Sequence, residues 1–87
     1  MAHMLARLRG VGIDEIGKIL RADAKEHARE GLYLEHLWQN ADDAGEVLFL
    51  FRVDSLPQVR KFIDRVHSEA LKKNPSANLP HMTYLEG

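Results

Sequence analysis

The sequence predicts an α+β sandwich, a four-stranded antiparallel sheet with two helices on one face. Three observations carry this reading. The hydrophobic period switches between two and about 3.6 residues, so that strand and helix patterns follow one another as β-α-β-β-α-β. One cluster, Asn40-Ala41-Asp42-Asp43-Ala44-Gly45, has turn composition and joins two strand patterns with no helix between them. The strand pattern after it, Val47-Leu48-Phe49-Leu50-Phe51-Arg52-Val53, is apolar on both faces. Side chains alternate along a strand, so Val47, Phe49, Phe51 and Val53 point one way while Leu48 and Leu50 point the other. A strand of that kind belongs at the centre of a sheet.

The elements follow in order. Residues 4–9 form a first strand, with Met4, Ala6 and Leu8 on one face and Arg7 and Arg9 on the other. Gly10 and Gly12 end it. Residues 14–30 form a first helix whose apolar stripe is Ile13, Ile16, Leu20, Ala24 and His27. Asp14 and Glu15 suit the positive end of its dipole, and Gly31 suits its C-terminal cap. Residues 32–39 form a second strand, on which strict alternation puts Leu32, Leu34, His36 and Trp38 on one face. Residues 40–45 make a hairpin loop longer than two residues. The apolar strand follows. Ser55-Leu56-Pro57-Gln58 then opens a second helix with an N-cap hydroxyl, a proline in the first turn and a capping-box glutamine. Its stripe is Val59, Phe62, Ile63, Val66 and Ala70; Lys72 and Lys73 suit its C-terminus, and Asn74-Pro75 stops it. Residues 79–86 form the last strand, with Pro80 at its entry or an edge.

With short right-handed crossovers this order is the ferredoxin-like sandwich. Two helices cover one sheet face. Left in water on the other, Leu48 and Leu50 would each forgo roughly 1.5–3 kcal/mol of burial. The expected remedy is a homodimer formed sheet against sheet, an α/β barrel.

The bulk numbers exclude several classes. A chain of 87 residues, 45% hydrophobic and 29% charged, is one globular domain. The expected domain is 4–87, with Met1-Ala2-His3 read as an expression-tag remnant. Twelve basic and thirteen acidic residues leave a net charge of -1, hence no field that would attract nucleic acid or an anionic membrane. No apolar run approaches the ~20 residues of a membrane span. There are no cysteines, which removes disulfides, thiolate catalysis and cysteine-bound zinc, and fits a cytoplasmic setting.

Two segments resemble known proteins. Arg21-Ala22-Asp23-Ala24-Lys25-Glu26, followed after a glycine by His36-Leu37-Trp38, resembles the muconolactone isomerase group. Asn40-Ala41-Asp42-Asp43, the apolar strand, Ser55-Leu56 and the closing Tyr84-Leu85-Glu86 resemble small members of the dimeric α/β-barrel superfamily, which also holds antibiotic-biosynthesis-type monooxygenases. The resemblance implies sheet-to-sheet homodimers, in places stacked into larger rings, with a small apolar pocket between sheet and helices. Two departures bear on activity. The glycine-to-His-Leu-Trp spacing differs from the isomerase pattern, and the helix before it is shorter. The haem-degrading members carry an asparagine on the first strand and a tryptophan-histidine pair on the second helix; neither is present here.

The candidate site residues are histidines and aromatics. His27, on the apolar side of the first helix, is the first candidate for a general acid/base, because imidazole titrates near neutrality. The bland alternative is a half-buried histidine favoured by the helix C-terminus. His36 is the second catalytic candidate, and shares its predicted strand face with Trp38. Trp38, Phe49, Phe51, Phe62, His81 and Tyr84 are the substrate-binding candidates, with a seam role as the alternative for His81 and a core or interface role for Trp38. His67 is expected to be solvated. Glu35 and Arg52 are candidates for a pair across the hairpin. No histidine pair has metal-ligand spacing on one element, and Asp42-Asp43 with Glu46 reads as turn chemistry, so neither a metal nor a cofactor is expected. RNA-recognition modules share this element order. Their third strand carries a basic-glycine-aromatic signature that Gly45-Glu46-Val47-Leu48 lacks.

The functional expectation is a homodimeric protein with a small-molecule pocket for an apolar organic compound, acting as a cofactor-independent isomerase or monooxygenase. The competing reading is a non-catalytic ligand-binding or assembly module. An enzyme of the expected kind brings His27 and His36 to one cavity.

Overall fold

A computed structural model describes residues 1–87. The elements are β1 (Ala2–Arg9), α1 (Ile13–Ala22), α2 (Ala24–Arg29), β2 (Leu32–Gln39), β3 (Glu46–Val53), α3 (Leu56–Lys73) and β4 (His81–Glu86). The four strands form one antiparallel sheet in the order β2-β3-β1-β4. The fold is therefore the predicted ferredoxin-like sandwich, with β3 central as its two-sided apolarity requires. Met4, Ala6 and Leu8 of β1 and Val47, Phe49, Phe51 and Val53 of β3 are buried under the helices. Ile16 and Leu20 of α1, Leu32 of β2, and Val59, Phe62 and Ile63 of α3 complete the core.

The local signals at the helix ends hold. Ser55 Oγ accepts the Gln58 amide at 3.4 Å, and a proline occupies the first turn of α3. Gly31, just beyond α2, has φ +78°, the left-handed conformation that glycine reaches without strain.

Four details differ from the sequence reading. β1 begins at Ala2, pairing Ala2 with Val53 and Glu86, so the sheet takes in residues ahead of Met4. β4 begins at His81, two residues past the expected start. The first helix is two segments, broken at Asp23 (φ -94°, ψ 1°). Asp23 N–H still donates to Ile19 O at 3.0 Å and Asp23 O accepts from His27 N–H at 2.9 Å, so the break is shallow. It nonetheless removes Ala24 from the apolar stripe and leaves it exposed, while His27 stays half-buried.

The largest departure is a β-bulge in β2. Leu34 stands opposite Phe51 and His36 opposite Leu50, so Glu35 is an extra residue with no partner. Cross-strand partners share a face. Past the bulge every β2 side chain is therefore on the face opposite to strict alternation: Leu37 packs with the core, and His36 and Trp38 join Leu50 and Leu48 on the open face. The expectation that Leu32, Leu34, His36 and Trp38 share one face is corrected accordingly. The apolar spacing Leu34-x-x-Leu37 is the sequence trace of that bulge.

Candidate functional site

The covered face of the sheet and the three helices border a half-open apolar cavity of about 350 Å³. Phe49 and Phe51 of β3 and Met4 and Leu8 of β1 form its floor. Ile16, Ile19 and Leu20 of α1 and Phe62, Ile63 and Val66 of α3 form its walls, and Asn78, Leu79 and Pro80 line the side next to β4. The size is at the lower end of small-molecule sites. It follows from the sequence: the i, i+3, i+4 stripes of α1 and α3 lay their apolar sides over the alternate residues of β1 and β3.

Few polar groups reach this cavity. His27 enters from α2, its ring set edge-on to Phe51 (centroids 5.5 Å apart, 88° between planes) and to Phe62 (6.3 Å, 77°). Its Nδ1 is buried and has no hydrogen-bond partner. Most buried polar atoms in folded proteins are hydrogen-bonded, so a ring nitrogen with no protein partner is open to a polar group entering the cavity. His67 enters from α3, one turn beyond Ile63, and is half-buried rather than solvated. Burial lowers its pKa below the ordinary histidine value, and nearby Asp64 opposes that shift only in part. Glu15 and Asp23 contribute the only carboxylates at the cavity. The sequence reading has His67 solvated and names neither Glu15 nor Asp23 as a site residue. The spacing Val59, Ile63, His67 is the signal that would have placed His67 on the buried stripe.

Of the residues named from sequence, His27, Phe49, Phe51 and Phe62 converge on this cavity. The others do not. His36 and Trp38 stack on each other on the open sheet face, ring centroids 4.7 Å apart and 11° from parallel, and Trp38 is 45% exposed. The expected meeting of His27 and His36 in one cavity does not occur, because the bulge at Glu35 turns His36 away. His81 is opposite Arg7 and is exposed on the same open face. Tyr84 is on the helix side of β4, its ring covered by the Arg60 guanidinium at 4.2 Å. That burial, with Asp64 nearby, raises the Tyr84 pKa, and Arg60 works against it.

The remaining polar contacts are structural. Glu35 meets His3 Nε2 at 3.1 Å rather than Arg52, which lies over the Tyr33 ring at 4.4 Å and bonds Asp54. At the start of β3, Glu46 is buried and accepts from Asn40 Nδ2 at 3.0 Å and from Arg7, while Asp43 pairs with Arg9. Asn40 Oδ1 caps the Asp42 amide and Asp43 Oδ1 the Gly45 amide, which is the turn chemistry read from the loop. No three His, Asp or Glu side chains are grouped to hold a metal ion.

No family model matches the chain, and no curated protein matches it. Solved structures do. Rv0793 from Mycobacterium tuberculosis aligns at a TM-score of 0.63 and 18% identity, over 99% of this chain and 93% of its own. A candidate antibiotic biosynthesis monooxygenase from Deinococcus radiodurans aligns at 0.62 and 17%, over 100% and 92%. An uncharacterized NIPSNAP domain protein from Burkholderia xenovorans aligns at 0.60 and 14%, over 100% and 94%. At these identities the likeness is one of fold. The chain shares its ferredoxin-like fold with these proteins.

Proposed function

We propose that this protein is a homodimer that binds a small apolar organic compound between sheet and helices and moves a proton on it with His27, as a cofactor-independent isomerase or monooxygenase does. The reading is supported above all by the buried, unpartnered Nδ1 of His27 within an otherwise apolar cavity. Leaving such an atom unsatisfied costs about 1–3 kcal/mol, which a ligand's polar group or a proton taken from it offsets. In the first step a ring nitrogen of His27 takes a proton from the substrate, whose electron pair remains on it as an enolate or phenolate. Returning the proton to another carbon completes an isomerisation. For monooxygenation the carbanion carbon forms a C–O bond to dioxygen; loss of that carbon's second hydrogen as the O–O bond breaks leaves a carbonyl in the product, and the other oxygen departs as water with the two hydrogens the carbon has given up. The walls formed by Phe49, Phe51 and Phe62 keep water from the anion.

Homodimerisation through the open face is part of the same reading. Leu48 and Leu50 are half-buried there beside the His36–Trp38 stack, and Leu85 of β4 is 42% exposed. The non-catalytic binding reading draws on the placement of His36 and His81 outside the cavity. Screening lactones and polycyclic phenols for turnover separates the two. In the enzyme reading His27→Gln loses roughly 10²–10⁴ in rate while His36→Ala keeps it. If ligands bind and none turns over, the binding reading stands.

A further inference from the structure

The cavity's charged lining consists of two carboxylates, the exposed Glu15 and the half-buried Asp23, with no lysine or arginine. Fourteen of its 20 lining residues are hydrophobic, and the rest are Glu15, Asp23, His27, His67, Asn78 and Pro80. No arginine or lysine lines it; Arg65 lies over the Phe62 ring at 5.5 Å and Arg60 over Tyr84. His67 is held toward its neutral form by burial, so it makes a poor anchor for an anion near neutral pH. An anionic ligand would leave water for an apolar chamber that carries the exposed Glu15 and the half-buried Asp23 and offers only a histidine ring nitrogen to meet its charge. A neutral ring compound loses no charge solvation, and its one polar substituent has the imidazole of His27 available among apolar walls.

Resting on the pocket reading above, we infer that this cavity discriminates ligands by charge: it takes neutral ring compounds bearing a hydroxyl and excludes carboxylated ones of the same shape. A hydroxyl suits His27 in either tautomer, since it donates to an unprotonated ring nitrogen and accepts from a protonated one. The inference bears on the two candidate activities, because muconolactone itself carries a carboxylate. An isomerase acting on such acids would need a cation that these walls do not supply.

The test compares 2-naphthol with 2-naphthoate, the same ring system differing in one substituent, on the whole protein by isothermal titration. Trp38 lies on the opposite sheet face, so its fluorescence is not a suitable readout. 2-Naphthol is expected to bind at least about tenfold tighter than 2-naphthoate, a margin of about 1.4 kcal/mol. Ile19→Lys adds the missing cation at a lining position that is 46% exposed and tolerant of a long side chain. It should narrow or invert the ratio, and Glu15→Gln should narrow it with no new side chain to accommodate. Equal or tighter binding of 2-naphthoate by the unmodified protein overturns the charge inference and leaves the pocket reading standing. Failure of both probes and of naphthalene to bind overturns the pocket reading, and this inference with it.

Discussion

His67 shows how one side chain's surroundings become a measurable property. Folding places it half-buried beside the apolar cavity, and burial lowers its pKa. Below its unfolded value, near 6.5, the unfolded chain binds a proton that the folded chain refuses. Its contribution to stability is therefore largest above that value and declines as pH falls toward the folded pKa. NMR titration should find the His67 midpoint below 6.5, and His67→Gln should flatten the stability slope in that window. Glu46 acts in a more acidic range. The Asn40 hydrogen bond, helped by Arg7 and Arg9 and opposed by burial, holds its pKa below the ordinary glutamate value. The stability it contributes is present above about pH 4.3 and lost as pH falls through the folded pKa. Urea unfolding of Glu46→Gln at pH 3 and pH 6 should show a smaller difference than the parent protein. His27 was legible as the leading candidate because its helical position follows from spacing. Its bare Nδ1 was not, since an unmet hydrogen bond is a property of what surrounds an atom.

At the scale of elements, the bulge in β2 decides which residues can share a site. Glu35 is the unpaired residue, so deleting it leaves Leu34 opposite Phe51, His36 opposite Leu50 and Leu37 opposite Phe49 in a regular ladder, every side chain on its present face. The deletion should therefore be tolerated, with stability in chemical denaturation changed by about 1 kcal/mol or less as the His3 contact is lost; a loss on the order of 3 kcal/mol would show that the bulge itself stabilises the sheet. Gly31 makes its own demand on the backbone. It has φ +78°, and a Cβ there would lie 3.2 Å from the Asp54 Cβ. Gly31→Ala should cost about 1 kcal/mol or more in chemical denaturation, because a strained backbone and a tight contact add. The glycine's role could be read from its place after a helical pattern. The bulge could be read only by weighing Leu37 against Trp38 as the buried residue, and the larger aromatic made the wrong choice attractive. The break at Asp23 was hidden for a similar reason: a single aspartate within a helical pattern is as compatible with a solvated turn of helix as with a break.

For the whole molecule, the open face of the sheet is the surface that the helices leave uncovered. If two copies close on it as proposed, Leu50 lies near the centre of the seam on a central strand. Leu50→Lys should then give monomers by native mass spectrometry, with the fold retained by circular dichroism. A parent protein already monomeric at micromolar concentration would remove the homodimer from the proposal. Such a seam would also bury the His36–Trp38 stack, giving those two residues a part in assembly rather than in the cavity.

Strand order, the centrality of β3, the α3 N-cap and the buried faces of β1 and β3 were determined by the sequence, because each depends on periodicity and short-range backbone chemistry carried by neighbouring residues. The tertiary structure alone decided which histidine reaches the cavity. Facing in a strand depends on counting every residue, so one inserted residue reverses it. The charge of the cavity lining likewise belonged to no single segment: Glu15, Asp23, His27 and His67 come from separate turns of helix and the loop between them, and only packing against one sheet brings them to one chamber.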